Sequence, residues 1–143
     1  MEVLYIEDTP EDADLALRSL RKHNLVNEVK LLEDGQAALD YLFGEGEYAS
    51  SGRGKIPRLM LLDLKLPKIS GLEVLARMKT DDQLKHIPVV VLTSSNEDVD
   101  IKKAYALGAN SYIVKPVDFQ NFAEAIRQVG LYWLVLNEPP SNT

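Results

Sequence analysis

The sequence predicts a single α/β domain in which a parallel sheet is covered by helices on both faces. Short apolar runs typical of buried strands alternate five times with segments whose apolar residues recur at helical spacing. Strict strand-helix alternation of this kind favours a mostly parallel sheet with right-handed crossovers. At 143 residues the chain is long enough for one such core and too short for two. We therefore expect no second domain.

The first two strand-helix units precede residue 44. A strand is predicted from Val3 to Glu7, and a helix follows to about Lys22, with Thr9 as its N-cap and Pro10 at its first position. The second strand is predicted at 29–32. After it, Asp34-Gly35 breaks the pattern, and a second helix covers 37–43. The next stretch, 44–56, has four glycines, two serines and no periodicity, which predicts a mobile surface loop or, alternatively, a loop that contacts a partner.

The remaining three units show the same order. Apolar runs at 59–62, 88–93 and 112–114 predict buried strands, and the first of them delivers Asp63 at its carboxyl end. Residues able to cap the helices that follow are Ser70, either Ser95 or Asn96, and Asp118. Gly108 is expected just beyond the end of the fourth helix, and the last helix is expected to extend to about Leu136.

Composition excludes several classes of function. No apolar run is long enough to cross a bilayer and the start lacks a signal-peptide pattern, so we expect a cytoplasmic protein without membrane contact. The absence of cysteine excludes disulfides, thiolate metal sites and thiol nucleophiles. The net charge of −6 opposes nonspecific binding to nucleic acid, and no nucleic-acid partner is expected.

Polar residues follow four of the five predicted strands. They are Glu7 and Asp8 after the first strand, Asp63 after the third, Thr93 after the fourth and Lys115 after the fifth. Because the ligand crevice of an open α/β sheet lies at the carboxyl ends of its strands, these side chains can face one site. Three neighbouring carboxylates repel one another, which favours a bound divalent cation, with Mg²⁺ the best match, and a compensating lysine. Solvated acidic strand ends remain the alternative for any one of these residues.

These motifs carry a family resemblance. The set comprises the Glu7-Asp8 pair, Asp63 with Pro67 and Gly71 behind it, Thr93-Ser94, and Tyr112 ahead of Lys115-Pro116. In this order they resemble the receiver domain of two-component response regulators, over nearly the whole chain. Three further features resemble the stand-alone regulators of phytochrome-type histidine kinases. They are the 44–56 loop, the Asp-Leu-Lys-Leu-Pro sequence at 63–67 and the lengthened last helix. The resemblance implies a flavodoxin-like doubly wound (βα)5 fold with strand order 2-1-3-4-5. It also implies a receiver domain over 1–137 and a flexible tail over 138–143.

The resemblance also implies a role for each acidic residue. Asp63 would be the phosphoacceptor, taking a phosphoryl group from the phosphohistidine of a sensor histidine kinase. Asp8, Asp63 and the backbone carbonyl of Lys65 would hold Mg²⁺, with Glu7 acting directly or through water. Glu7 stands where aspartate is more usual, and Lys65 puts a long cation at the mouth of the site, where it could alter the attack of water. The alternative for Lys65 is an exposed lysine without a role.

Four further residues receive roles from the same resemblance. Thr93 and Lys115 would contact the phosphoryl oxygens, and the peptide bond before Pro116 would be cis and aim the lysine into the site. On phosphorylation Thr93 would move toward the phosphoryl group and Tyr112 would turn inward. The alternative for Tyr112 is a half-buried aromatic residue at the edge of the sheet.

The end of the last helix predicts an interface. Residues 131–136 are apolar on every side, and a helix of that kind must be buried on every side. We expect a homodimer formed through this helix, with docking back onto the same domain as the alternative.

Two other functions were weighed against a signalling switch. An aspartate-nucleophile phosphatase of the haloacid-dehalogenase type requires a second aspartate two positions after its nucleophile, where this chain has Lys65. A flavin- or nucleotide-binding module would carry a Gly-x-Gly-x-x-Gly turn or a phosphate loop, and neither is present. We therefore expect a switch rather than an enzyme, limited to its own phosphorylation and dephosphorylation.

Overall fold

A computed structural model describes residues 3–26, 28–53 and 55–138. Its centre is a five-stranded parallel sheet with the predicted order 2-1-3-4-5. The strands are β1 (Val3–Ile6), β2 (Val29–Leu32), β3 (Leu59–Leu62), β4 (Val89–Thr93) and β5 (Ser111–Val114). The central strands β1, β3 and β4 are buried at every position, as their continuous apolar runs predicted.

Five helices cover the two faces of the sheet. They are α1 (Pro10–Lys22), α2 (Gly35–Phe43), α3 (Gly71–Lys79), α4 (Asp98–Ala106) and α5 (Phe119–Gly130). Alternate residues of each strand enter different cores, because successive side chains of a strand point to opposite faces. Leu4, Met60 and Val91 pack with α2, α3 and α4, whereas Tyr5 and Leu61 pack with α1 and α5. The predicted doubly wound fold is confirmed.

Two of the predicted helix caps form, at Ser70 and Asp118, and Asp34, which was predicted only to break the pattern, caps α2 as well. Each of these three side chains accepts a hydrogen bond from a backbone N–H three residues ahead. Thr9 stands at the N-cap of α1 but makes no side-chain cap. For α4 the prediction was wrong, since Glu97 occupies the N-cap without capping through its side chain.

The 44–56 stretch is more structured than its composition predicted. A 3-10 turn, Gly46–Tyr48, places the Tyr48 ring edge-on against Tyr41, with 5.2 Å between ring centroids. Arg53 forms a two-pronged ion pair with Asp81, at 2.8 and 2.9 Å, and this contact holds the pKa of the aspartate at about 2. Aromatic and ionic contacts therefore fasten this stretch to its neighbours, which a count of glycines does not reveal.

The last helix changes character after Gly130. The chain continues as a π-helical segment, Leu131–Leu136, and ends it at Asn137. Leu134 packs into the core shared with α1 and α5, and its carbonyl accepts a 2.7 Å hydrogen bond from Arg58. Trp133 is half-buried against the same core, whereas Leu131, Tyr132, Val135 and Leu136 are exposed, so the prediction of burial on every side is not met by the described residues of one chain. Of the predicted 138–143 tail, only Glu138 belongs to the described residues.

Candidate functional site

Strand register brings the predicted site residues to one edge of the sheet. Ile6 lies opposite Leu62, so the next residues, Glu7 and Asp63, are neighbours. The backbone N–H of Asp63 donates to the carbonyl of Ile6 at 3.1 Å and extends this pairing by one residue. On the other side, the Lys115 N–H donates to the Thr93 carbonyl at 2.7 Å. Parallel pairing thus places the acid, the hydroxyl and the lysine at the same level, as predicted.

The ammonium group of Lys115 is the centre of the site. Its Nζ lies 2.7 Å from Glu7 Oε1, 2.9 Å from Asp12 Oδ2 and 3.2 Å from Asp63 Oδ2. The Lys115 side chain is 9% exposed and that of Glu7 is fully buried. Charges so far from water persist only when they are paired and hydrogen-bonded, and here each charge has partners.

Burial and ion pairing have opposite effects on the pKa values of Glu7 and Lys115. Burial raises the pKa of Glu7 to about 7, against the opposing effect of Lys115. Burial also acts to lower the pKa of Lys115, but the hydrogen bonds that the ammonium donates to Glu7 and Asp12 outweigh burial, and the pKa rises above its ordinary value. Lys115 therefore remains charged at neutral pH, and the site holds a fixed cation beside its carboxylates.

Three of the carboxylates can bind one metal ion. Glu7, Asp8 and Asp63 each bring an oxygen to within 4.8 Å of the others. Asp8 is exposed, whereas the other two are buried. A set of carboxylate oxygens suits a hard divalent cation such as Mg²⁺ and offers nothing that soft metals prefer. The donors present therefore fit the predicted metal, with Glu7 already shared between the cluster and Lys115.

The loop behind Asp63 fixes its position through close backbone contact. The Lys65 N–H donates to Asp63 Oδ1 at 3.3 Å, and the Gly71 N–H donates to the Leu64 carbonyl at 2.8 Å. A Cβ atom on Gly71 would lie 2.2 Å from the Asp63 carbonyl oxygen. Only glycine allows the start of α3 to approach the strand end this closely.

Thr93 and Tyr112 are linked through the chain between β4 and α4. Thr93 is fully buried, and its hydroxyl lies 3.5 Å from the Ser95 N–H. The Tyr112 hydroxyl donates to the Ser95 carbonyl at 2.8 Å, while Ser95 Oγ and Asp100 form a 2.5 Å hydrogen bond. Tyr112 also packs against the core on the α2–α4 side of the sheet. In this structure the ring is therefore turned inward and held by a hydrogen bond.

The predicted cis peptide bond before Pro116 is absent. Both Lys115 and Pro116 are described, and the bond between them is trans. The trans form is the intrinsically favoured one even before proline. Lys115 reaches all three carboxylates in this form, so in this structure a cis bond is not what directs its side chain.

Sequence reasoning missed two participants. Asp12 lies in the first turn of the predicted first helix and received no role from the sequence, but it bonds Lys115. Tyr5 was interpreted as part of a strand, yet its hydroxyl donates to Glu7 Oε1 at 3.2 Å. Alternation in β1 could have identified Tyr5 and Glu7 as residues of one face. No spacing signal distinguishes Asp12 from its neighbour Glu11.

Comparison with known proteins gives a consistent result. The sequence profile described as Response regulator receiver domain matches residues 3–127. Response regulator Rcp1 of Synechocystis sp. is 39% identical over 132 residues, covering 92% of this chain and 88% of Rcp1. The probable methanogenesis regulatory protein FilR2 of Methanothrix harundinacea is also 39% identical, over 138 residues, covering 96% of this chain and 86% of FilR2.

Solved structures extend the similarity to three dimensions. The phosphorylated cyanobacterial phytochrome response regulator RcpA superposes with a TM-score of 0.89 at 39% identity, and the match covers 98% of each chain. A Mn²⁺-bound form of response regulator Rcp1 gives a TM-score of 0.88 at 37% identity, covering 99% of this chain and 100% of that one. The resemblance to phytochrome response regulators is thus confirmed. With its sheet order, its acidic cluster and its lysine in the expected places, the chain belongs to the response regulator receiver domain family.

Proposed function

We propose that this protein is a phosphorylation-dependent switch whose phosphoacceptor is Asp63 and whose donor is the phosphohistidine of a sensor histidine kinase. The observation that carries the proposal is the convergence of Lys115, Glu7 and Asp8 on Asp63, with Lys115 Nζ 3.2 Å from Asp63 Oδ2. The family is one of signalling switches. The proposal limits the chemistry of the chain to gaining and losing one phosphoryl group.

The transfer requires little covalent chemistry from the protein. An oxygen of Asp63 forms a new P–O bond while the P–N bond of phosphohistidine breaks, and the electron pair of that bond stays on the imidazole. Positioning and charge neutralisation supply most of the rate of such reactions. Lys115 is already charged and held beside Asp63, so its cation is in place when the phosphoryl group arrives. The buried Thr93 hydroxyl, at the adjoining strand end, would donate to one of them.

A divalent cation completes the charge balance of the site. Asp8, Asp63 and the Lys65 carbonyl would hold Mg²⁺, with Glu7 acting directly or through water. When bound, the ion would neutralise the carboxylates and the phosphoryl oxygens. Support comes from the acidic cluster and from the relative whose structure is a Mn²⁺-bound form.

The switch would be read out through Thr93 and Tyr112. Their link through Ser95 means that a movement of the threonine hydroxyl changes the chain to which Tyr112 is bonded. Tyr112→Ala is expected to leave the phosphorylation rate unchanged and to weaken the response of a partner, because the ring lies outside the reacting group. Phosphorylation kinetics and partner binding, measured on one preparation, would check this. Loss of phosphorylation in the variant would contradict it.

The donor is proposed to be a phytochrome-type histidine kinase. RcpA is described as a phytochrome response regulator, and the chain matches it over 98% of its length. FilR2 is a probable methanogenesis regulatory protein, so equal identity occurs with a regulator named for another process. Phosphotransfer rates from a panel of kinases would therefore decide the partner.

The predicted cytoplasmic location and the absence of nucleic-acid and membrane partners stay predictions. Among the described helices, none is both long and apolar enough to span a bilayer.

A homodimer through the last helix belongs to the same proposal. Tyr132, Val135 and Leu136 expose 51–63% of their surface on the π-helical segment, next to the partly exposed Leu131. A second copy would cover these side chains. Sedimentation equilibrium should find a dimer at about 10 μM or above. A monomer at that concentration would contradict the prediction.

The test of the proposed function is phosphorylation by a small donor. With Mg²⁺ and phosphoramidate, the wild type is expected to form an acid-resistant, base-labile phosphoprotein that Asp63→Asn abolishes. Asp14→Asn, an exposed change on α1 far from the acceptor in the chain, is the matched control. Rapid turnover of many phosphomonoesters would instead indicate a phosphatase. The lysine two positions after Asp63 argues against that activity, since it replaces the second aspartate such enzymes require.

A further inference from the structure

Lys115 has a partner that belongs neither to the acidic cluster nor to any role assigned above. Asp12 lies in the first turn of α1, and its Oδ2 is 2.9 Å from Lys115 Nζ. That contact is shorter than the 3.2 Å between the lysine and Asp63. Asp12 is not among the three carboxylates that come within 4.8 Å of one another. Its contact with the lysine is thus independent of those metal-binding oxygens.

The number of contacts matches the number of donors. A lysine ammonium has three N–H groups, and Lys115 meets three carboxylates from three parts of the chain. Glu7 follows β1, Asp63 follows β3 and Asp12 begins α1. An unrestrained lysine side chain has considerable rotamer entropy, so a single contact to Asp63 would hold it poorly. Asp12 adds a contact from the first turn of α1 that restrains the lysine side chain.

A general helix effect does not account for this contact. Acidic side chains favour the first turn of any helix, and Glu11 meets that preference equally well. Glu11 is exposed, whereas the Asp12 side chain is only 34% exposed and faces the buried ammonium. The pair Glu11 and Asp12 therefore separates the effect of charge from the effect of contact.

We infer that Asp12 is a positioning residue, which holds Lys115 against Asp63 before the phosphoryl group arrives. This inference rests on the proposed function for its consequence in phosphorylation, whereas the contact between Asp12 and Lys115 stands on its 2.9 Å geometry. Loss of Asp12 leaves the lysine charged and frees it to leave Asp63. The expected result is slower phosphorylation with unchanged demand for metal.

The first measurement is made without metal or phosphoryl donor. Side-chain ammonium signals in ¹H–¹⁵N spectra persist when the protons are hydrogen-bonded and exchange slowly with water. The Lys115 signal, assigned with Lys115→Arg, is expected in the wild type and in Glu11→Gln and is expected to be lost in Asp12→Ala. An unchanged Lys115 signal in Asp12→Ala would overturn the inference. Asp12→Asn, nearly identical in shape, serves where the alanine variant folds poorly, and its weaker acceptor should reduce the signal.

The second measurement follows phosphorylation at saturating Mg²⁺ and phosphoramidate. Asp12→Ala is expected to slow it about tenfold, Asp12→Asn to recover part of the rate, and Glu11→Gln to match the wild type. The Mg²⁺ concentration for half-maximal rate is expected to stay within about twofold. A wild-type rate in Asp12→Ala, or a loss cured by more Mg²⁺, would overturn the inference. Failure of the wild type itself to become phosphorylated would instead overturn the proposed function, while the ammonium signal still reports on the contact.

Discussion

The carboxyl edge of the sheet and the π-helical segment Leu131–Leu136 differ in how fully their side chains find partners within one chain. At the edge, each N–H of the Lys115 ammonium meets a carboxylate, and Glu7 bonds both Lys115 and Tyr5. On the segment, Leu134 is buried, while Tyr132 and Val135 are exposed. The first region therefore satisfies its buried charges within one chain. The second leaves apolar surface that the described residues do not cover.

The largest effect is expected at the carboxyl edge of the sheet. Lys115→Met should lower the free energy of unfolding by about 3–5 kcal/mol at pH 8 without metal, because it leaves buried carboxylates without their cation. The loss should be smaller at pH 6, since Glu7, whose pKa Lys115 holds down, then takes up a proton. Urea titrations at both pH values measure it, with the exposed Lys85→Met as control. Equal stability of Lys115→Met and wild type would show that the edge does not depend on its lysine.

The segment offers a matched pair of substitutions. Leu134→Ala should destabilise the fold by about 2–5 kcal/mol, because it empties a buried position. Val135→Lys, at the adjacent exposed position, should change stability by less than about 0.5 kcal/mol while abolishing the proposed dimer. Thermal unfolding and sedimentation separate the two effects. Equal destabilisation by both variants would mean that Val135 is covered within its own chain.

Magnesium should stabilise the edge in a pH-dependent way. Glu7 has a folded pKa of about 7, above its ordinary 4.5, so its contribution to stability is present below pH 4.5 and is lost as the pH rises through 7. The ion binds the ionised carboxylate, and its stabilisation should be greater at pH 8 than at pH 6. At 100 times its dissociation constant it should add about 2.7 kcal/mol. Unfolding with Mg²⁺ or with EDTA tests this. Glu7→Gln should remove the pH dependence, and equal stabilisation at both pH values would contradict it.

The smallest effect is expected at the mouth of the site. Lys65→Asn should change the half-life of the aspartyl phosphate by about threefold or more, because an exposed cation two residues from the acceptor affects the approach of water. Lys68→Asn, in the same loop, is the control, since asparagine tolerates its positive φ of 68°. Decay of the phosphoprotein after removal of the donor gives the half-life. An unchanged decay in Lys65→Asn would remove the proposal for this residue.

Elements with a strong local signal were predictable. Continuous apolar strands, helical spacing and the caps at Ser70 and Asp118 were confirmed because each depends on residues that are close in sequence. The location of Glu7, Asp63, Thr93 and Lys115 at one edge followed from parallel pairing alone. Asp12 was missed because a first-turn acid has the same local pattern whether it faces solvent or Lys115.

Structure that arises from distant contacts was less predictable. The 44–56 stretch was expected to be mobile, but Arg53 reaches Asp81 across 28 positions of sequence. The expected cis bond before Pro116 came from resemblance, and the structure has the trans form. The first difference depends on a tertiary neighbour, which a local pattern does not contain.

The most direct test of the central claim is to locate the phosphoryl group. After phosphorylation with Mg²⁺ and phosphoramidate, borohydride cleaves an aspartyl phosphate by reduction and marks the residue, which peptide mass spectrometry then identifies. The account predicts the mark at Asp63, with Asp8 and Asp12 unmodified. A mark at either of those residues, or none on a folded protein with Mg²⁺ present, would contradict it.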